Sequence, residues 1–269
     1  MNYSKGSLSQ NVTFDQWQII CPLLPEPKRW KKAGRGRPAK SNKEIFEAIL
    51  YVLESGCRWK DLDTARFPPS STVYDRFRWW LDNGFLEKAL RVLGKRLIRD
   101  GLIYVEEASI DGSFIRGRNG GDKIGNTKLG KGTKLMSIVD GNGLPLGVHI
   151  ESAQIHEVKL VERTLDRLIL NVKPNFLLSD KAYDSEELAN DLNSEYDINL
   201  IRPHKANRKR KSDQDGRNFR RYKRRYKVER TFSWIQNHRR CLVRYDKLSH
   251  VYLGWVQMAV LMIYAKCLL

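Results

Sequence analysis

Cysteine and histidine are scarce in this chain, four of the one and five of the other in 269 residues. Cys21, Cys57, Cys241 and Cys267 stand far apart, with no Cys-x-x-Cys and no paired histidines. That spacing excludes a structural zinc site, and without a secretory signal a disulfide framework is not expected. The apolar run LGWVQMAVLMIYAKCLL is interrupted by Gln257 and Lys266. It is short for a membrane span, so a buried terminal helix is expected rather than an anchor. A phosphate loop is missing too. GNTKLGKG, residues 125–132, nearly spells one, but Gly132 stands where Ser or Thr is required and no strand-to-helix context surrounds it. Nucleotide binding is therefore rejected.

Acidic residues are also in short supply, 31 against 49 Lys and Arg, for a formal charge of +18. Such a charge favours polyanionic partners, nucleic acid or an anionic surface, and says nothing about fold. Its distribution is informative. Residues 201–240 hold sixteen Lys/Arg against Asp213, Asp215 and Glu229, and the first hundred residues hold nineteen against eleven acids. Two basic regions flanking a nearly balanced middle suggest two contact surfaces for one long polyanion. With 41% apolar and 30% charged residues, the chain reads as a soluble, cytoplasmic globular protein, long enough for one large domain or two small ones.

Periodicity divides the chain near residue 101. TFDQWQIICPLL, with Thr13 as N-cap, predicts a short helix, and RWKKAGRGRPAK a basic linker over about 28–40. SNKEIFEAILYVLESG carries a capping signal, Ser41 with Glu44, and stops at Gly56. KDLDTARF is expected to form a second short helix, SSTVYDRFRWWLDNG a third and FLEKALRVLGKRLIRDG a fourth. This order is compatible with a helix-turn-helix whose reading helix, 71–82, presents Tyr74, Arg76, Arg78 and Trp79. It is equally compatible with a helical cap whose aromatics form its core. Beyond 101, IYVEEASIDGSFI reads as a strand. KLMSIVD and LGVHIES read as strands joined by a Gly141-Asn142-Gly143 hairpin. HEVKLVERTLDRLI reads as an amphipathic helix, NFLLSD and INLIRP as strands around the helix SEELANDLNSEY, and 219–240 and 248–268 as long helices. A mixed α/β sheet with flanking helices follows, preceded by a small all-α domain, 1–101 against 102–269.

Three acids stand out in this frame. Asp111 and Asp180 end the apolar runs ASID and NFLLSD, so their carboxylates are expected at strand ends, where α/β folds place ligands. On the helix 219–240, Tyr222, Arg225, Glu229 and Gln236 share one face, beside the apolar stripe Val228, Phe232 and Ile235. Docking that stripe on the sheet would point Glu229 toward the aspartates. Each acid alone also has a plain reading, as a turn former, a helix cap or an ion-pair partner of Arg225 or Arg230. As a constellation they need a cation, and hard oxygen ligands without His or Cys suit Mg²⁺ or Mn²⁺. Two such ions can activate an attacking oxygen and stabilise a leaving one in phosphodiester displacement.

DGS at 111–113, SDKAYDS at 179–185 and Tyr222-x2-Arg225-x3-Glu229 resemble the DDE transposases of bacterial insertion sequences, closest to the group related to insertion-sequence family five. ILYVLESGCRW, FPPSSTVYDRFRWW and RYDKL extend the likeness over about residues 13–265. The resemblance implies a ribonuclease-H-like core with Asp111, Asp180 and Glu229 as catalytic metal ligands for two Mg²⁺ or Mn²⁺ ions. It implies double-stranded DNA as partner, a homodimer or larger synaptic assembly, and a bacterial, nucleoid-associated location. In the related signature Y-x2-R-x3-E-x6-K the Tyr, Arg and Lys position element-end DNA. Tyr222 and Arg225 match, while Gln236 stands for the Lys.

Further DNA contacts are expected from the basic run HKANRKRKSDQDGRNFRRYKRR, including Arg220, Arg221 and Arg224, which leads into the catalytic helix. Arg35 and Arg37 in GRGRP are expected to touch phosphates, with an AT-hook-like minor-groove reading as the alternative. The common GQxHD element appears as AQIHE, Ala153–Glu157, with His156 read as structural. The glycine-rich piece RGRNGGDKIGNTKLGKGT is expected to be a mobile loop over the active site or a disordered insert. The function expected is cleavage at element ends and strand transfer. The rivals are a non-catalytic DNA-binding regulator of the same descent and a nuclease that only hydrolyses.

Overall fold

Two capping boxes open the helical region, as the sequence predicts. In α1 (Phe14–Ile20) the Thr13 hydroxyl accepts from the Gln16 N–H at 3.2 Å while the Gln16 side chain accepts from the Thr13 N–H. In α2 (Asn42–Ser55) Ser41 and Glu44 do the same, and Gly56, at φ 69°, ends the helix in the left-handed region that glycine adopts without strain. Then come α3 (Ser70–Asp82) and α4 (Phe85–Arg99). The chain is described here, from a computed structural model, over residues 12–25, 39–204 and 216–269. Arg35, Arg37, most of the basic linker and the run 205–215 lie outside those residues.

The short helix expected over 60–67 is instead a single 3-10 turn, Trp59–Asp61. The Asp63 carboxylate accepts from the Ala65 N–H at 2.9 Å, a local bond that competes with helix. Pro68 and Pro69 then bar Phe67 and Pro68 from helical continuation. A helix-turn-helix pair is thus not formed between α2 and α3. The aromatics of α3 serve the core: Phe77 stacks on Trp255 at 4.4 Å, Trp59 lies 5.4 Å from the same ring, and Trp80 is fully buried.

The sheet is built from β1 (Glu107–Gly117), β2 (Gly125–Thr127), β3 (Gly130–Asp140), β4 (Pro145–Ser152), β5 (Phe176–Leu178), β6 (Asn199–Ile201) and β7 (Val243–Arg244). Its order is β4-β3-β1-β5-β6, with β2 extending the β4 edge and β7 the β5 edge. The first three strands run antiparallel, from Ala108↔Asp140 to Arg116↔Gly132 and on through β4. Strands β5 and β6 run parallel to β1. This is the mixed, ribonuclease-H-like sheet that the resemblance implied. Asp140 closes the β3–β4 turn by accepting from the N–H groups of Asn142 and Leu144 and of Tyr104.

Two further helical expectations are shortened. The amphipathic segment after β4 yields a 3-10 turn, Glu157–Leu160, and the brief α5 (Val161–Leu165). It stops because Ile169 donates to the Leu146 carbonyl and Leu168 bridges Gly147, using the free edge of β4. After α6 (Glu186–Tyr196), the long helix expected over 219–240 is three pieces: α7 (Gly216–Tyr222), α8 (Tyr226–Gln236) and α9 (Arg239–Leu242). No proline or glycine breaks it at 223–225. The side chains of Arg224 and Arg225 are drawn down onto Glu107 and Asp111 of β1 instead.

The glycine-rich piece, expected to be mobile or disordered, is the ordered β2–β3 hairpin. Arg244, 1% exposed, ties it down by donating to Thr133 Oγ1 and to the carbonyls of Asp122, Asp246 and Lys247. Gly121 passes so close that an added Cβ would lie 2.2 Å from the Lys247 carbonyl oxygen.

The terminal apolar run is α10 (Ser249–Cys267), buried along nearly its whole length. It packs on α4 and α3 on one side and on β4 and α8 on another, so helical region and sheet share one apolar core. Among the described residues no helix is long and apolar enough to cross a membrane.

Candidate active site

Strand β1 builds the floor of the site. Side chains alternate across a strand, so Glu107, Asp111 and Ser113 face one side, the side on which α7 and α8 lie. Asp111 does not end its strand as the sequence suggested; it sits in the middle of eleven residues. What ends there is the neighbour. β5 pairs with β1 only as far as Ser109, and β7 rejoins it at Arg116. Among the described residues, the gap leaves β1 without a strand partner on that edge beside Asp111. Asp180 emerges just past the end of β5, where Oδ1 accepts from the Ala182 N–H at 2.7 Å and caps the 3-10 turn Lys181–Tyr183.

Glu229 lies in the first turn of α8, its side chain 57% exposed. Arg225 joins it to β1. One guanidinium nitrogen donates to Asp111 Oδ2 at 2.7 Å and the other to Glu229 Oε1. Asp111 Oδ1 accepts from the Gly112 N–H at 2.9 Å. Burial raises the Asp111 pKa from its ordinary value, against the pull of Gly112 and Arg225, and the nearby Glu157 adds to the rise. Burial alone would lower the Arg225 pKa, yet Asp111 and Glu229 hold it above its ordinary value. Among the described residues no three carboxylates converge closely enough to hold one ion. The guanidinium fills the space between two of them. A cation already resting on Asp111 and Glu229, in an all-oxygen donor set, fits a site for a hard divalent ion.

The other candidates fall into two groups. Gln236 closes the same floor, its Nε2 donating to Ser113 Oγ at 2.8 Å, and Tyr222 ends α7 near Arg225. Arg221 and Arg224 are committed to the buried Glu107, at 3.2 Å and 2.7 Å, and Arg221 also lies 3.9 Å over the Phe176 ring. Arg220 is exposed. Arg76 and Arg78 are engaged within the helical region. Arg76 donates to Asn42 Oδ1 at 2.9 Å, and Arg78 donates to the Tyr74 hydroxyl at 3.2 Å and lies 3.7 Å from Asp82.

His156, read from the sequence as structural, is exposed, and its neighbour Glu157 turns inward. Lys134 Nζ lies 3.4 Å from Glu157 Oε1. A Cβ added at Gly112 would lie 2.8 Å from that same oxygen. Tyr183, three residues past Asp180, is fully buried. The only sequence signal for Glu157 was an acid closing the AQIHE element. Glu107 gave none beyond its place at the start of an apolar strand.

The strand order and flanking helices define a ribonuclease-H-like fold. Residues 106–264 match the family described as "Transposase DDE domain", and residues 12–90 match "Putative transposase of IS4/5 family". The chain belongs to the DDE transposases. It is 35% identical over 112 residues to an insertion element IS402 uncharacterized 16.2 kDa protein of Burkholderia cepacia, covering 41% of this chain and 76% of that one. It is 28% identical over 102 residues to the uncharacterized protein y4sN of Sinorhizobium fredii, covering 38% and 73%. Among solved structures, a piggyBac transposase synaptic complex with hairpin DNA shares the fold. Its TM-score is 0.51 at 11% identity, over 96% of this chain and 71% of that one.

Proposed function

We propose that this chain is an insertion-sequence transposase that binds the ends of its element, cleaves DNA there and transfers the strands to a target. Asp111, Asp180 and Glu229 are its catalytic acids. The observation that carries this reading is Arg225, which draws Asp111 of β1 and Glu229 of α8 onto one positive centre. Residues 1–101 form the helical DNA-binding part and 102–269 the catalytic part. The DNA is double-stranded, and two copies or more pair the two ends.

Asp111, Asp180 and Glu229 would hold two Mg²⁺ or Mn²⁺ ions. When bound, such ions supply charge neutralisation and activation of the attacking and leaving oxygens. The protein does the rest. Ser113 and Gln236 fix the floor of the site next to Asp111. Burial favours exchange of the Arg225 cation for another over a bare carboxylate pair. Arg225, once released, stands with Tyr222 and Arg220 beside the reacting phosphate, where a guanidinium can hold two phosphate oxygens at once.

The test is cleavage and joining on DNA that carries the flanks of this gene, with Mg²⁺ or with EDTA. Wild type and Glu229→Gln are compared. Metal-dependent nicking at the element boundaries with joined products, lost in the variant, is expected. Tight binding with no cleavage by wild type would favour a non-catalytic regulator, and hydrolysis without joined products a nuclease.

A further inference from the structure

We infer that Glu157 is a positioning residue of the active site, tying the Asp180 turn to strand β1 directly beside Asp111. The inference rests on the reading of Asp111 and Asp180 as catalytic acids, and deepens it.

Asp180 stands on a slight base. Its strand, β5, is three residues long, and the turn it caps is a single 3-10 turn. Something lateral must fix that turn relative to β1, because ligand geometry tolerates errors of only about half an ångström. Three contacts place Glu157 in that role. First, Lys134 of β3 lies 3.4 Å from the carboxylate and donates to the Ile155 carbonyl at 2.8 Å, so it holds both the side chain and the loop that bears it.

Second, Gly112 forms its seat. Gly112 lies in mid-strand, paired with Met136. A Cβ there would meet Glu157 Oε1 at 2.8 Å, Glu157 Cδ at 2.9 Å and Met136 Sδ at 3.0 Å. Because consecutive residues point to opposite faces, Glu157 reaches β1 from behind, on the face away from Asp111. That geometry makes it a support and not a ligand.

Third, Tyr183 closes the link to Asp180. Its side chain is fully buried, and its hydroxyl makes no hydrogen bond of regular geometry among the described residues. The turn that carries it, Lys181–Tyr183, packs directly on the turn Glu157–Leu160 that begins with Glu157. A buried hydroxyl must find an acceptor, and Glu157 is the one that β1 and β3 hold in place. The tie therefore runs from Gly112 through Glu157 to Tyr183, with Asp111 and Asp180 at its two ends.

The experiment is Mn²⁺ titration of the full-length protein, followed by paramagnetic resonance of the free ion. Melting in EDTA and DNA nicking are measured alongside. The variants are Glu157→Ala, Glu157→Gln, Gly112→Ala and the control Asp111→Asn. Losing a supporting partner of a metal ligand typically costs about 10–100-fold in affinity. Glu157→Ala and Gly112→Ala should therefore raise the half-saturating Mn²⁺ concentration roughly tenfold or more. Glu157→Gln, which keeps an acceptor for Tyr183, should stay within a few-fold of wild type, and melting in EDTA should change little.

If Asp111→Asn abolishes Mn²⁺ binding while Glu157→Ala and Gly112→Ala bind as wild type, Glu157 has no positioning role and the proposed function stands. If Asp111→Asn binds Mn²⁺ normally, the catalytic reading itself is overturned. Should Glu157→Ala fail to fold, Gly112→Ala decides alone. It keeps every carboxylate and crowds Glu157, with the flexible Met136 side chain the other group it meets, so unchanged Mn²⁺ affinity in that variant overturns the inference.

Discussion

Arg225 is the residue on which the most charge depends. Its guanidinium satisfies a half-buried aspartate and an exposed glutamate together, and removing one partner of such a pair leaves the others uncompensated. Arg225→Ala is expected to destabilise the protein in EDTA by about 1–3 kcal/mol. Divalent ions should restore more stability to the variant than they add to wild type. Denaturant melts with and without Mg²⁺ read both effects, and equal melts in EDTA would remove Arg225 from this role. Glu54 on α2 offers a separate, remote test. One carboxylate oxygen is buried with no hydrogen-bond partner among the described residues, and burial pushes its pKa up to about 7. A raised folded-state pKa means a contribution that is whole below about pH 4.5 and lost as pH rises through 7. Wild type should therefore lose stability against Glu54→Gln between pH 5 and 8. Parallel melting curves across that range would contradict the assignment.

At the scale of the element, Arg244 holds together what the glycines would let drift. It is a buried cation with acceptors from β3, the 118–124 loop and its own strand end. Arg244→Ala strands several of those acceptors at once and is expected to cost about 3 kcal/mol or more. Limited proteolysis should find new cleavage between 118 and 125, and an unaltered digest would contradict the knot. The same residue marks where sequence reasoning ran short. Helix starts at Thr13 and Ser41, the Gly141–Gly143 hairpin and the sheet class were legible because each rests on local chemistry. The glycine-rich piece read as mobile because its order comes from Arg244, which lies far along the chain. The break at 223–225 was hidden for a like reason, since Glu107 and Asp111 pull that corner down and no local residue signals it. In the site, spacing and surroundings single out Asp111 and Glu229, which Arg225 joins in the structure. Glu157 was not legible, because its meaning depends on a glycine elsewhere leaving room for it.

For the molecule as a whole, a charge of +18 makes association with DNA an exchange of ions. Neutralising six to ten phosphates would give a slope of about −5 to −9 in log affinity against log salt. Filter binding to element-end DNA at several salt concentrations measures it. Asp111→Asn should leave the slope nearly unchanged while abolishing cleavage. A shallow slope would mean that the basic residues face solvent and not phosphate. The arginines already committed to Glu107 reduce the number available, so the lower half of that range is expected.

Helix α10 has a consequence for how the chain is made. It follows in sequence every element it packs against, yet it is the apolar partner of α4, α3, β4 and α8 together. A ribosome emits those elements first, and each waits with an uncovered apolar face until residues 249–267 have cleared the exit tunnel. Chains normally fold N-terminal units first as they emerge; here neither the helical region nor the sheet can be completed that way. A transcript cut short before codon 249 would yield a product with both halves of its core exposed, prone to aggregation and open to proteases. Synthesis through α10 is thus built in as a condition for a closed core.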